Sequence, residues 1–352
     1  MPRASRFTYI PQMIETSRET TMRAAVLERF GERLVVRSLP RPRATPGNVL
    51  VRIFASGVNP LDVKIHDGAA AHARAHLPAI LGLDMAGVVE AIGEGVTGFS
   101  PGDEVFGMIG GVGKLPGTLA EFALADAQVL AHKPSVLTMR EAAALPLSFI
   151  TAWEGLVDRA QLCAEHTVLV HGGAGGVGSI CVQLARAIGA TTYATVRPRD
   201  YDLVEAAGAV PIDYAMPVED YVAAYSAGEG FDVVYDTVGG HVLDASFQAV
   251  RRYGGHVVSC LGWGTHALAP LSFRSATYSG VFTLTPLLDG IGKAHHGEIM
   301  RNAARLANAG LLRTRIDSST FSLDDADLAH DILRTKAAAG KLVVTVSGSA
   351  SD

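Results

Sequence analysis

The sequence predicts an α/β protein in two parts, a small all-β barrel followed by a doubly wound parallel sheet. Three observations carry this. Residues 22–122 run as short β-type segments broken by Gly, Pro and Asp. From residue 167, fully apolar strands alternate with helical stretches, the pattern of a parallel sheet covered on both faces. Between the first of those strands and its helix lies a glycine-rich run, Gly172-Gly173-Ala174-Gly175-Gly176-Val177-Gly178.

The expected barrel strands include 23–27, 34–37, 49–55, 86–92 and 104–108, separated by turn signals such as Pro46-Gly47 and Pro101-Gly102-Asp103. Residues 140–159 have helical period and follow Thr138, a candidate N-cap. The parallel sheet is expected from strands at 167–171, 192–196, 211–213, 231–235 and 256–261. Helices at 176–188, 202–207 and 242–250 fall between them. The tail reads as a helix at 296–309, an amphipathic stretch at 324–338 and a last strand at 342–346 that returns to the first part.

Composition narrows the function. Hydrophobic residues make up 48% and charged residues 18% of 352, enough apolar material for sizeable cores and no disorder signature. A net charge of -5 argues against a nucleic-acid binder, which needs a basic face. Cys163, Cys181 and Cys260 are the three cysteines. They are too few for a disulfide framework or a four-cysteine zinc site and read as reduced thiols of a cytoplasmic protein. The longest uncharged run, 253–273, contains glycines, a proline and histidines, so no membrane span is expected. Residues 1–21 have no apolar signal core, and Glu15 and Glu19 count against a mitochondrial address. They are expected to be an extension preceding the domain.

The glycine run reads as a phosphate loop because of where it sits. Gly173, Gly175 and Gly178 follow the GxGxxG spacing between an apolar strand and a helix. Gly173 permits the tight turn, Gly175 lets backbone approach a pyrophosphate, and Gly178 lets helix and strand pack closely. Gly176 and Val177 open the helix, whose free N–H groups favour phosphate. At the end of the second strand, where an acid would accept from an NAD ribose, stands Arg197, with Arg199 two residues on. An arginine there pairs with a 2′-phosphate, so the expected cofactor is NADP(H). The alternative is a pair of solvated loop charges.

Several segments resemble the medium-chain dehydrogenase/reductase superfamily, in its zinc-independent quinone oxidoreductase-like branch. They are Gly57-Val58-Asn59-Pro60-Leu61-Asp62, Leu81 to Val89, Pro101 to Val105, Ala120-Glu121-Phe122, the HGGAGGVG loop and Asp236-Thr237-Val238-Gly239-Gly240. The resemblance covers residues 22–346 and implies a GroES-like β-barrel catalytic domain plus a Rossmann domain, with the active site between them. The implied divisions are an extension at 1–21, the catalytic domain at 22–145, the NADP-binding domain at 146–285 and a C-terminal return at 286–352. Zinc-dependent members place ligands where this chain has Asn59, Leu83 and Leu147, so no metal site is expected. His66, His72 and His76 lie nearby, with His72 and His76 expected on one helix face, and read as solvated loop histidines rather than ligands.

Without a metal Lewis acid a conjugated acceptor is easier to reduce than an isolated ketone, because charge spreads onto an oxygen that needs only hydrogen-bond donors. The expected function is therefore NADPH-dependent reduction of quinones or α,β-unsaturated carbonyls. The alternatives are an alcohol dehydrogenase of the same superfamily and a cofactor-binding protein with little turnover. The resemblance implies Asn59 as a donor to substrate oxygen and Lys64 as a group that stabilises an enolate or donates a proton. Each has a plainer reading, as a turn residue before Pro60 and an exposed lysine. Asp62 either orients Lys64 or caps a helix, and the cap is preferred. His171 and Trp153 read as packing residues. Thr237 and Phe282 lie in segments that meet the cofactor in relatives. Trp263 follows a strand of the parallel sheet, outside whose carboxyl ends ligands bind, and is expected to wall the pocket. Relatives pair edge strands into homodimers, and 279–284 is the candidate edge.

Overall fold

The computed structural model describes residues 21–348. The extension expected at 1–21 therefore lies outside the described residues, apart from Thr21, which opens the first strand Thr21–Leu27. A seven-stranded antiparallel and mixed sheet curls around the first core. Its centre is Asn48–Gly57, paired on one side with Asp84–Ile92 and on the other with Phe122–Asp126. The last strand, Val343–Thr345, pairs antiparallel with Ala55–Gly57 and closes the C-terminal return. Val49, Val51, Ile53, Leu83, Met85 and Phe106 fill this core without measurable exposure.

The second core is a six-stranded parallel sheet. Its order is Val210–Asp213, Thr191–Val196, Thr167–His171, Val233–Asp236, His256–Ser259 and Thr277–Gly280. The chain starts in the middle, winds one way for three strands, then returns and winds the other way. The direction reverses between Thr167–His171 and Val233–Asp236, so a crevice opens beyond their carboxyl ends. Val168, Leu169, Val170, Val233 and Val234 are buried on both faces, which is why these strands read as unbroken apolar runs. The helix Gly176–Ile188 packs Ile180, Cys181, Leu184 and Ala185 against them and stops at Gly189, whose φ of 102° suits only glycine without strain.

Three expectations are corrected. The helix expected over 140–159 is broken. Thr138 caps a short helix, Met139–Ala143, in a reciprocal capping box with Glu141. Pro146 then restarts the chain as Pro146–Trp153, and the end widens into a π turn over Glu154–Arg159. The Tyr235 hydroxyl packs onto that turn and donates to the Thr151 carbonyl at 2.6 Å. The edge strand expected at 279–284 is Thr277–Gly280 instead. Val281 and Leu284 turn inward and are buried, so that apolar run is core, not sheet edge. His72 and His76 do not share a helix face, because only the 3-10 turn Ala71–Ala73 forms there.

The helix Pro60–His66 is held from behind. His66 donates from Nε2 to the Glu32 carbonyl at 2.6 Å, so its Nδ1 accepts from His330 Nδ1 at 2.9 Å. Burial and then the neighbouring His66 push the His330 pKa down to about 3. Arg334 clamps Asp67 just beyond, at 2.7 Å. Among the described residues no helix is long and apolar enough to cross a membrane.

Candidate active site

The crevice collects most of the residues singled out in the sequence. The phosphate loop follows Thr167–His171 directly. A Cβ on Gly178 would lie 2.2 Å from the Gly172 carbonyl oxygen, and one on Gly173 2.5 Å from the Ala194 Cβ, so neither position admits a side chain. No side chain caps the first turn of Gly176–Ile188. Its leading N–H groups are therefore left for a ligand phosphate, as a helix N-terminus favours. Thr237 sits across the reversal point, donating to the His171 carbonyl at 2.6 Å. Asp236 orders the same loop by accepting from Val238 and Gly239 N–H at 3.0 and 2.9 Å.

Arg197 stands at the carboxyl end of Thr191–Val196, exposed and without an ion-pair partner among the described residues. Arg199 is also exposed and reaches Asp200 at 3.8 Å. Tyr214, at the end of the neighbouring strand, joins them: its N–H donates to the Val196 carbonyl and its ring is 64% exposed. The sequence reading passed over Tyr214. An aromatic residue directly after a short strand was the available signal.

Asn59, expected as a donor to substrate, is already hydrogen-bonded within the protein. The residue is completely buried, and its side chain is committed at both ends. Its Nδ2 donates to Asp84 Oδ2 at 3.0 Å and its Oδ1 accepts from the Lys341 ammonium. Asp84 also accepts from the Leu147 N–H at 3.0 Å, and Lys341 reaches Ser148 Oγ at 3.4 Å. Asp62 accepts from the Asn59 N–H at 2.8 Å, the cap that the sequence favoured. Burial pushes the Asp62 carboxyl up to about 7 and Asp84 up to about 6, with Lys341 pulling both down. Burial in turn lowers the Lys341 pKa against the pull of Asp84 and Asp62. One ammonium thus faces two carboxyls that burial keeps raised. Ser148 Oγ lies 3.7 Å from where a Cβ on Gly176 would stand, which places the cluster just beneath the phosphate loop.

These residues do not fit zinc. Leu83 is buried and apolar, Leu147 offers the cluster only a backbone N–H, and the Asn59 amide is already engaged. No three donors are left to converge on a metal. Lys341 and Ser148 were missed in the sequence. Lys341 is a single charge opening an apolar final strand, a weak signal until the strand is placed beside Asn59.

Lys64 projects from the exposed face of Pro60–His66. Its charge helps to lower the His72 pKa, after burial, and weakly offsets the burial that pushes Cys260 up to about 12. A pocket of about 480 Å³ opens there, beyond the ends of the last two parallel strands, lined by His72, Cys260, Trp263, Tyr278 and Phe282. Trp263, expected to wall a pocket, and Phe282, expected in a cofactor-meeting segment, both line it. A second cavity, of about 400 Å³, lies against the strands Thr21–Leu27 and Val35–Pro40, away from this chemistry.

Two family models match, the alcohol dehydrogenase GroES-like domain over residues 45–135 and the zinc-binding dehydrogenase over 206–344. The chain is 35% identical over 312 residues to 2-methylene-furan-3-one reductase of Solanum lycopersicum, covering 86% of this chain and 73% of that protein. It is 32% identical over 312 residues to the chloroplastic NADPH-dependent alkenal/one oxidoreductase of Arabidopsis thaliana, with the same coverage. The structure of an alcohol dehydrogenase superfamily protein from Novosphingobium aromaticivorans matches with a TM-score of 0.91 and 56% identity, covering 93% of this chain and 100% of that one. The chain also matches the spectinabilin polyketide synthase protein NorB of Streptomyces orinoci at 35% identity, but spans only 14% of its length.

Removing one partner of a buried charge pair leaves the other charge uncompensated. Lys341→Met is therefore expected to lower unfolding stability in urea by about 3 kcal/mol at neutral pH, with part of the loss restored by adding Asp84→Asn. A loss within about 0.5 kcal/mol, the range of an ordinary surface change, contradicts the charge balance drawn here.

Proposed function

Because the chain belongs to the medium-chain dehydrogenase/reductase superfamily, we propose that it is a zinc-independent, NADPH-dependent reductase of α,β-unsaturated carbonyls and quinones. The observation that carries the reading is the closed Asn59–Asp84–Lys341 cluster, in which Asn59, one of the three positions where the resemblance implies a zinc ligand, is already committed. A fixed ammonium faces the carboxyls there, and no donor set remains for a Lewis acid. The acceptor must then be one whose developing charge needs only hydrogen bonds and a nearby cation. Conjugated carbonyls meet that demand, and the printed activities of the tomato and Arabidopsis relatives support the same class.

When bound, the dinucleotide would supply the hydride from its nicotinamide. The chain's own residues do the rest. Gly175, Gly176, Val177 and Gly178 present backbone to the pyrophosphate, and Thr237 lines the reversal point beside them. Arg197, with Arg199 and Tyr214, would hold the 2′-phosphate. The backbone beside Phe282 would hold the nicotinamide end, near the pocket that Trp263 lines. Lys64, whose charge acts on the pocket residues His72 and Cys260, would be the nearby ammonium to stabilise an enolate oxygen and return a proton.

The chain is read as a homodimer as well. Thr277–Gly280 is the outer strand of the parallel sheet, and Tyr253 and Phe273, 89% and 83% exposed, stand beside it. The Tyr253 N–H donates to the Arg274 carbonyl, so the two rings share one edge. An open strand flanked by exposed rings is a pairing surface. Light scattering is expected to give the mass of two chains. A single-chain mass at micromolar concentration rejects the dimer.

Cofactor choice tests the nucleotide site. Charge-assisted hydrogen bonds from Arg197 to a 2′-phosphate are worth about 1.5–3 kcal/mol, roughly a ten- to hundredfold preference for NADPH over NADH. Arg197→Asp is expected to reverse it, since a carboxylate repels the phosphate and accepts from a free 2′-hydroxyl. The check is the ratio of kcat/KM for the two cofactors in both proteins. Wild type preferring NADH, or a ratio unmoved by the substitution, overturns the assignment.

A further inference from the structure

We propose that the indole face of Trp263 is the platform for a flat aryl ring of the substrate, and that His72 yields that face when the ring arrives. The proposal rests on the reductase reading and narrows its substrate class to aryl-conjugated carbonyls and fused-ring quinones. His72 and Trp263 stack with centroids 4.9 Å apart and planes 22° from parallel. Phe282 closes the side, edge-on to Trp263 at 6.5 Å and to His72 at 6.0 Å. Three rings from three segments therefore frame one slot, and all three contacts are stacked or edge-to-face geometries that aromatic pairs prefer.

The arrangement is not explained by core packing. Trp263 keeps 51% of its surface exposed although it lies inside a pocket. The chain makes special provision to hold it there. Gly264 adopts φ +112°, and a Cβ on Gly262 would lie 2.2 Å from the Tyr278 hydroxyl, so Trp263 stands between two positions that need glycine. Opposite, the turn carrying His72 ends at Arg74, a non-glycine residue at φ +52°, a conformation that costs energy unless its surroundings hold it. The Arg74 guanidinium is pinned to Asp289 at 2.7 Å. The salt bridge fixes the turn, and the turn sets the imidazole over the indole.

The stack joins the barrel side of the crevice to the parallel-sheet side. His72 belongs to Ala71–Ala73, whereas Trp263 and Phe282 follow the strands His256–Ser259 and Thr277–Gly280. Burial and the Lys64 charge keep His72 a neutral ring, so its hold on the indole is a modest stacking contact rather than a cation–π pair. A flat conjugated ring replaces such a contact with one of the same kind and larger area. Lys64, whose charge acts on His72, would then be the nearby ammonium for the carbonyl oxygen of that substrate as it gains charge.

Stacking beyond simple area burial corresponds to about two- to tenfold in affinity. Trp263→Leu keeps an apolar side chain but removes the flat face. It is expected to lower kcat/KM for benzylideneacetone relative to methyl vinyl ketone by about two- to tenfold, with the change in KM rather than kcat. Fluorescence gives a readout independent of turnover. The chain has two tryptophans, so Trp153→Phe leaves Trp263 as the only emitter. Its emission should change saturably with benzylacetone and not with butanone. An equal effect of Trp263→Leu on both enones, or an emission unmoved by benzylacetone, overturns the platform. If no enone or quinone is reduced at all, the reductase reading fails, and the fluorescence titration alone decides the proposal.

Discussion

The Lys341 ammonium is the group on which the site depends. It arrives from the start of the last strand and pulls on two buried carboxyls, Asp62 and Asp84. Through the Asn59 amide it ties together the end of the central barrel strand, the strand Asp84–Ile92 and the helix that leads to the parallel sheet. A carboxylate buried without such a partner is costly enough that it takes up a proton instead. With Lys341 in place, the carboxyls order their neighbours: Asp62 caps the helix carrying Lys64, and Asp84 fixes the Leu147 backbone. The floor of the crevice is therefore tied together by buried hydrogen bonds, and Arg74, paired with Asp289, is a cation that lines the pocket above.

The second constraint is topological. Reversal of winding at Thr167–His171 puts the glycine loop, Thr237 and the Trp263 segment at the carboxyl ends of adjacent strands. A dinucleotide laid across that crevice would run from Arg197 over the loop to the Phe282 turn. The Asn59 cluster sits under the middle of this path through Ser148 and Gly176. Hydrogen-bonded floor and open crevice are thus two halves of one design, in which the barrel supplies the side chains and the parallel sheet supplies the backbone.

What was legible in the sequence was local. Thr167–His171 and Gly176–Ile188 fall where the apolar run and the glycine spacing place them, because a buried strand and a phosphate turn are both specified within a few residues. Trp263 was singled out from a strand end alone, whereas its contact with Phe282 is visible only in the fold. The break in the helix over 140–159 was signalled by Pro146, but the π turn answers to Tyr235, more than 80 residues away, and no local pattern carries that. The run 279–284 is apolar because it turns into the core, and apolarity does not distinguish that from an edge strand. The Lys341 contact of Asn59 spans 282 positions in the chain, so no local pattern around Asn59 carries it. The contact between His72 and Trp263 likewise exists only once the two halves close on each other.

The central claim is that a fixed ammonium, not a metal ion, balances charge beneath the reacting centre of an enone reductase. The most direct measurement is NADPH oxidation with an enone before and after exhaustive dialysis against a strong chelator, with metal analysis of the same samples. The account predicts an unchanged rate and no stoichiometric zinc in either sample. Activity lost on dialysis and recovered on adding zinc would contradict it.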